Sequence, residues 1–438
     1  MDNQTFRHLL QTAAELQRNG RMADAEAACL AALDMAPEHS VALHNLGALT
    51  AAAGQPERAI AFFDRAIAAA PRYASAHYNR AIALQSVGQL PAAAQALSMA
   101  CRIEPDFYEA HRSLGFLRLA LGERDRALDH FARTYDLRRG ESRIGLANVS
   151  LTSTNQAKLR HDAAQFAYLS NLPRSEVKFN RKATAYETLA DRWSKTIKAL
   201  TKSEFDLIGD DYNSPIASVA APELKGPAVT PRPDHTRVAS GFHRQGGMVV
   251  VDSLLTEPAL ASLRRYLLET TLWHDFRHID DFVASYLEDG LACPLFLQIA
   301  GEMRTVFPEL LGDLMLTQAW AFKALSSRAS VGAHADDAAI SVNFWVTPDN
   351  ANRRPGGGGL AICLTRPNET TSISDYRQDE ANASAFIDAH PAQTHRVPYA
   401  CNRAVLFKSD LFHRSDEPDF QPDYESMRIN VTLLFGRR

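Results

Sequence analysis

The sequence predicts a multidomain α and β protein: an N-terminal all-α superhelix of stacked helix pairs, then a C-terminal jelly-roll with supporting helices. Three observations predict it. Small residues and prolines recur every 34 residues through the first third. Five prolines crowd between Ser214 and Pro233. Beyond them, short apolar segments are separated by glycine-rich turns. At 438 residues there is room for two or three domains, expected at 1–141, 142–233 and 234–438.

The repeats come first in the chain. Gly20, Gly54, Gly88 and Gly122 share the 34-residue interval, as do Ala25, Ala59, Ala93 and Ala127. Pro37, Pro71 and Pro105 follow where each unit should end, and Arg139 stands at the fourth such position. One helix pair per unit explains all three. Glycine enters positive φ at the turn between helices, alanine lets the second helix approach closely, and proline stops it. Asn45–Gly47 (NLG) and Ser113–Gly115 (SLG) stand at matching places. With these motifs, residues 6–141 resemble the tetratricopeptide repeat. The resemblance implies a superhelix whose concave face holds a protein or peptide, with Asn45 and Asn79 pointing into the groove; the charges of Arg112 and Arg18 would add a preference for anionic ligands. Asparagine is also simply common at that repeat position, and exposed helical arginines are ordinarily just solvated.

From 141 to 212 helical spacing continues without the period, through Leu159, Phe166, Leu169, Leu189, Trp193 and Ile197. The prolines that follow disfavour both helix and central strand, so an extended linker and the domain boundary are expected there.

The last 200 or so residues read as strands at Met248–Val251, Leu316–Leu325, Ile340–Val346, Leu360–Leu364, Arg403–Phe407 and Met427–Phe435, with helices at Leu254–Leu272 and Pro294–Phe307. Two strands alternate clearly. Ser341, Asn343, Trp345 and Thr347 oppose Ile340, Val342, Phe344 and Val346; Arg428, Asn430 and Thr432 oppose Ile429, Val431, Leu433 and Phe435. A polar inner face suggests a barrel closed around a cavity. Surface strands with a wet outer face give the same pattern.

Composition narrows the function classes. Apolar residues are 46%, charged residues 22% and net charge −4, so no global basic field favours nucleic acid. Five scattered cysteines without CxxC spacing point to a reducing compartment and no thiolate zinc site. No stretch is long and apolar enough to span a membrane, and the first residues lack a signal-peptide pattern. A cytoplasmic location is expected, with neither nucleic-acid nor membrane partners, and a homo-oligomer is allowed.

The chemistry-bearing residues lie late in the chain. His334-Ala-Asp336 precedes the Ile340 strand, His413 ends the run Asn402–Arg414, and Arg428 opens the last strand. Spacing of i, i+2 puts His334 and Asp336 on one side of an extended chain. Two imidazoles and a carboxylate can hold one face of an octahedral ion and leave positions open. Chance alone supplies such tripeptides, and His278-Ile-Asp280 is a second copy; only the His334 copy has the strand, glycine turn, strand and histidine after it.

With Ser341–Asp349, Gly357–Leu360, Asn402–Arg414 and Arg428–Gly436, residues 240–438 resemble the 2-oxoglutarate/Fe(II)-dependent dioxygenases of the prolyl-hydroxylase-like branch, whose fold is a double-stranded β-helix. The whole chain is similar to bacterial tetratricopeptide–oxygenase fusions. The resemblance implies Fe(II) on His334, Asp336 and His413, 2-oxoglutarate with its distal carboxylate on Arg428, and O2 as oxidant. Asn430 and Asn343 are expected as softer inner-face contacts. Hydroxylation of an unactivated C–H bond, with succinate and CO2 released, is the implied reaction. Arginine replaces the lysine of the lysine-using prolyl hydroxylases; Asp336 argues against a halogenase, and it sets the chain apart from animal aspartyl/asparaginyl hydroxylases, whose substrate is therefore not carried over. Three functions stay open: a hydroxylase of a protein or peptide held by the repeats, an oxygenase of a small molecule with repeats for oligomerisation, and a non-catalytic binding protein.

Overall fold

The computed structural model describes residues 3–140, 152–173, 177–209, 211–276, 281–365 and 380–436. It divides into two compact units, Met1–Thr134 and Tyr135–Arg438.

The first unit is a run of antiparallel helix pairs. These are α1 (Asn3–Arg18) with α2 (Met22–Met35), α3 (Ser40–Ala52) with α4 (Pro56–Ala69), α5 (Ala74–Ser86) with α6 (Leu90–Ile103), and α7 (Tyr108–Ala120) with α8 (Arg124–Arg139). The four periodic glycines occupy the turns inside the pairs, with φ of 74–78°. The four periodic alanines are fully buried. Pro37, Pro71 and Pro105 each fall two residues past the end of a second helix.

Close approach is repeated too. A Cβ on Gly47 would meet the Phe63 ring at 2.8 Å, and one on Gly115 would meet Phe131 at 2.8 Å. Both rings are buried. Gly47→Ala should therefore force the ring aside and cost about 1–3 kcal/mol, read as a lower denaturant midpoint at unchanged slope.

The domain break falls at Thr134/Tyr135 rather than in the proline-rich stretch. The physical reason is packing. Helices Gln156–Ser170, Val177–Ala190 and Lys202–Ile208, with the short pair β1 (Ser153–Thr154) and β2 (Lys198–Ala199), belong to the second unit. Leu159, Phe166, Leu169, Leu189 and Trp193 share one core cluster, whereas Ile197 is exposed. The proline-rich stretch is extended, but it is strapped down. Leu224 N donates to Gln298 Oε1, and Ala228 N and Val229 N both donate to Glu302 Oε2, each at 2.8 Å. Helix Pro294–Val306 thus satisfies backbone donors that proline-broken chain cannot pair in a ladder.

The remaining strands form two antiparallel sheets. The larger has the order β3-β9-β6-β11-β5-β4, from β3 (Met248–Val251), β9 (Ala404–Lys408), β6 (Ile340–Trp345), β11 (Ile429–Phe435), β5 (Leu316–Ala324) and β4 (Phe282–Tyr286). The smaller is β10-β7-β8, from β10 (His413–Ser415), β7 (Leu360–Cys363) and β8 (Thr394–Val397). One core cluster draws on both, with Met248, Trp345, Val405 and Phe407 against Leu360, Ile362 and Val397. The sheets are not closed into the expected barrel among the described residues. β7 and β10 have only four and three residues, and the His334–His413 contact is a single bridge rather than a ladder.

Alternation was read correctly, and the wet-face alternative is excluded. Val342, Phe344, Ile429, Val431 and Leu433 are fully buried on one face, while Asn343, Thr432 and Arg428 are buried on the other. Register aligns the polar positions, Asn343 opposite Thr432 and Asn430 opposite Trp345.

Candidate metal centre

His334, Asp336 and His413 converge. One ligand atom from each lies within 4.8 Å of the others, the one such group found among the described residues. His413 opens β10, and His334 meets it in an isolated antiparallel bridge: each backbone N–H donates to the other's carbonyl, at 3.0 and 2.9 Å. Asp336 is anchored by its own N–H donating to Ser409 O at 2.8 Å. The i, i+2 reading of His334 and Asp336 thus matches the backbone.

Each imidazole is oriented the same way. Nδ1 of His334 donates to Gly332 O at 2.9 Å, and Nδ1 of His413 donates to Leu411 O at 3.0 Å. Carbonyls only accept, so the proton sits on Nδ1 and Nε2 keeps its lone pair. Those Nε2 atoms face the carboxylate, at 3.8 Å from Asp336 Oδ1 and 3.8 Å from Oδ2 respectively. Ser341 Oγ donates to Asp336 Oδ2 at 2.6 Å and lies 2.8 Å from Ser409 Oγ. Burial, and then the adjacent His334 ring, push His413 down to about 4, so it is neutral where a metal ligand must be.

Arg428 lies across the same pocket. Its Nη1 donates to Gly358 O and its Nη2 to Ser415 Oγ, both at 2.9 Å, while Nε has no partner. The guanidinium is buried and no carboxylate pairs with it among the described residues; burial pushes it down to about 10. Asn343 Oδ1 and Asn430 Oδ1 are also buried without partners, and Asn430 Nδ2 donates to Thr432 Oγ1 at 3.3 Å. All six predicted residues line one cavity, walled by Phe282, Trp320, Phe322 and Val331. The donor set and the orphaned polar atoms fit a divalent ion and a small carboxylate beside it.

Other expectations sort less simply. Trp345 and Trp320 also line the pocket. Arg414 lines it too and pairs with Asp388 at 2.7 Å. His278 and Asp280 lie outside the described residues. Ser341, Ser409 and Ser415 were missed as supports. Ser415, two residues past His413, shares its strand face and was findable; Ser409 was not, because only the fold brings it beside Asp336.

In the repeat unit, Asn79 Nδ2 donates to His44 Nε2 at 2.8 Å, and Asn45 Oδ1 lies 3.3 Å from His44 Nδ1. Both expected groove amides are therefore engaged by one histidine. Arg112 sits over the Phe116 ring at 5.4 Å. No described helix is long and apolar enough to cross a membrane.

No family model matches the chain. Among curated proteins it is 38% identical over 77 residues to the TPR repeat-containing thioredoxin TTL4 of Arabidopsis thaliana, and equally to the inactive TPR repeat-containing thioredoxin TTL3 of the same plant. Each match covers 18% of this chain and only 11% of the relative. Among solved structures, a MamA fragment from Desulfovibrio magneticus RS-1 is similar over 31% of this chain and 77% of that one, at 26% identity and a TM-score of 0.29. The first TPR of Spaghetti (RPAP3) bound to an HSP90 peptide is similar over 28% and 97%, at 20% identity and a TM-score of 0.27. The N-terminal unit is a tetratricopeptide-like helical repeat array, followed by a sheet-rich region.

Proposed function

We propose that the chain is an Fe(II)- and 2-oxoglutarate-dependent oxygenase that hydroxylates an unactivated C–H bond. One observation carries the reading: two imidazole Nε2 lone pairs and a carboxylate meet in a pocket that also buries an arginine with no acidic partner among the described residues. His334, Asp336 and His413 would hold the iron, which when bound supplies the oxidising chemistry with O2 and the keto acid. The two backbone carbonyls fix the rings, and Ser341 fixes the carboxylate, so the ligand set is held before the ion arrives. Arg428 would pair with the distal carboxylate of 2-oxoglutarate, with Asn343 and Asn430 as polar neighbours. Phe282, Trp320, Phe322 and Val331 would give the ion an apolar wall on one side.

The repeat array is proposed to hold a protein or peptide, since stacked helix pairs present an extended surface suited to one. That reading favours a protein substrate over a small molecule.

The test is anaerobic addition of Fe(II) and 2-oxoglutarate, followed by the visible charge-transfer absorption of the chelate and then by succinate release on admitting O2. Neither signal in a folded wild type would sink the reading. Arg428→Met should raise the 2-oxoglutarate concentration for half-saturation about tenfold or more while leaving binding of the metal alone unchanged. Equal effects on both would make Arg428 a structural residue only.

A further inference from the structure

A second cavity, of about 790 Å³, lies elsewhere in the sheet unit. Trp320 and Phe322 of β5 line the candidate metal pocket, whereas Lys323, the next residue, turns to the other face and lines this one. The first residues of helix Gln156–Ser170 open onto it, so the positive end of a 15-residue helix dipole faces the space. Arg160 and Lys195 add to that sign, and Asp281 is the one acid on the wall among the described residues.

Two buried side chains on this wall each carry a polar atom with no hydrogen-bond partner. Lys323 is fully buried, its Nζ 3.0 Å from the centroid of the Tyr424 ring and bonded to no carboxylate. His161 Nδ1 lies 3.0 Å from Asp162 Oδ1, and Lys158 holds the other oxygen of that carboxylate. The aspartate can only accept, so Nδ1 carries the proton and Nε2 is left as an unused acceptor. An unpaired amine next to a helix N-terminus asks for an oxyanion; an orphaned imidazole acceptor asks for a hydroxyl.

We propose that this cavity binds a small organic anion bearing a hydroxyl, either a hydroxycarboxylate or a phosphorylated polyol, with its oxyanion on Lys323 and the helix N-terminus and its hydroxyl on His161. Burial, reinforced by Arg264 and opposed by Glu425 and Asp423, drives the free amine toward its neutral form, and an incoming anion supplies the missing counter-charge.

Calorimetric titration of the full chain with glycerol 3-phosphate, gluconate and neutral glycerol tests this and separates phosphate from carboxylate. One anion or both should bind, glycerol should not, and Lys323→Met should weaken the binding about tenfold or more. Arg160→Gln, at the exposed rim, should weaken it several-fold with an unchanged melting temperature, and decides the matter if Lys323→Met fails to fold. Arg428→Met should leave it intact. The proposal is overturned if neither anion binds, if glycerol binds equally, if neither variant weakens binding, or if Arg428→Met abolishes it, which would put the anion in the candidate metal pocket.

Discussion

His413→Ala should abolish ferrous binding, weakening it by more than about a hundredfold, because loss of an outer partner alone already costs ten- to a hundredfold. Removing this ring takes away one of three candidate ligands and the side chain whose Nε2 lies 3.8 Å from Asp336. The effect on the fold should be far smaller. The bridge to His334 is made by backbone atoms, which alanine keeps, and β10 still pairs β7 through Ile362, Ala361 and Leu360. Anaerobic equilibrium dialysis with Fe(II), alongside a melting curve without metal, separates the two effects. Retained metal binding in a folded His413→Ala protein would remove the metal centre from this site. pH gives an independent check. His413 titrates near 4 in the fold, below the usual histidine value near 6.5, so the unfolded chain binds more protons between those values. This group's contribution to apo-protein stability is therefore complete above about pH 6.5 and falls away as pH drops toward 4; protons compete with metal for its Nε2 only near the lower end.

The candidate metal residues were legible in the sequence partly for a local reason and partly through the resemblance. His334 and Asp336 are two residues apart, so extended backbone alone brings them together. His413 is remote from them in the chain, and its place in the set came from the resemblance alone. Alternation puts Arg428 on the polar face of the last strand, while its role came from the resemblance. What stayed hidden had no periodicity to show. β8 and β10 are four and three residues long, too short to display alternation, and β8 carries the polar run Thr394–Arg396. The strapping of the proline-rich stretch was hidden too, since it depends on Gln298 and Glu302 reaching back more than 70 residues. Likewise the orphaned Lys323 looks in the sequence like any basic residue in an amphipathic strand; only burial without a partner sets it apart.

The largest stability loss should come from Asp289→Asn or Arg139→Met, each costing about 3–5 kcal/mol. Arg139 stands at the repeat position where Pro37, Pro71 and Pro105 stop the earlier units, so α8 is free to run on to that residue. Its last turn, from Tyr135, belongs to the second unit. There the buried guanidinium grips fully buried Asp289 with two parallel bonds, Nε to Oδ1 and Nη2 to Oδ2, both at 2.9 Å. Arg138 adds a weaker contact at 3.8 Å. Either single change strands a charge out of water, and that stranded charge, rather than the lost attraction, sets the cost. The double variant Arg139→Met/Asp289→Leu should accordingly recover much of the loss, which a double-mutant cycle by chemical denaturation would read as a large coupling energy. Burial would raise the Asp289 carboxyl, but Arg139 outweighs it and holds the group well below the usual carboxylate range. With the folded value depressed, the pair's contribution is complete above the unfolded value near 4 and is lost as pH falls below it. An Asp289→Asn protein should thus lose stability at neutral pH and show a shallower acid limb than wild type. If it matches wild type at pH 7 and falls as steeply in acid, the paired charges contribute nothing that an amide cannot replace.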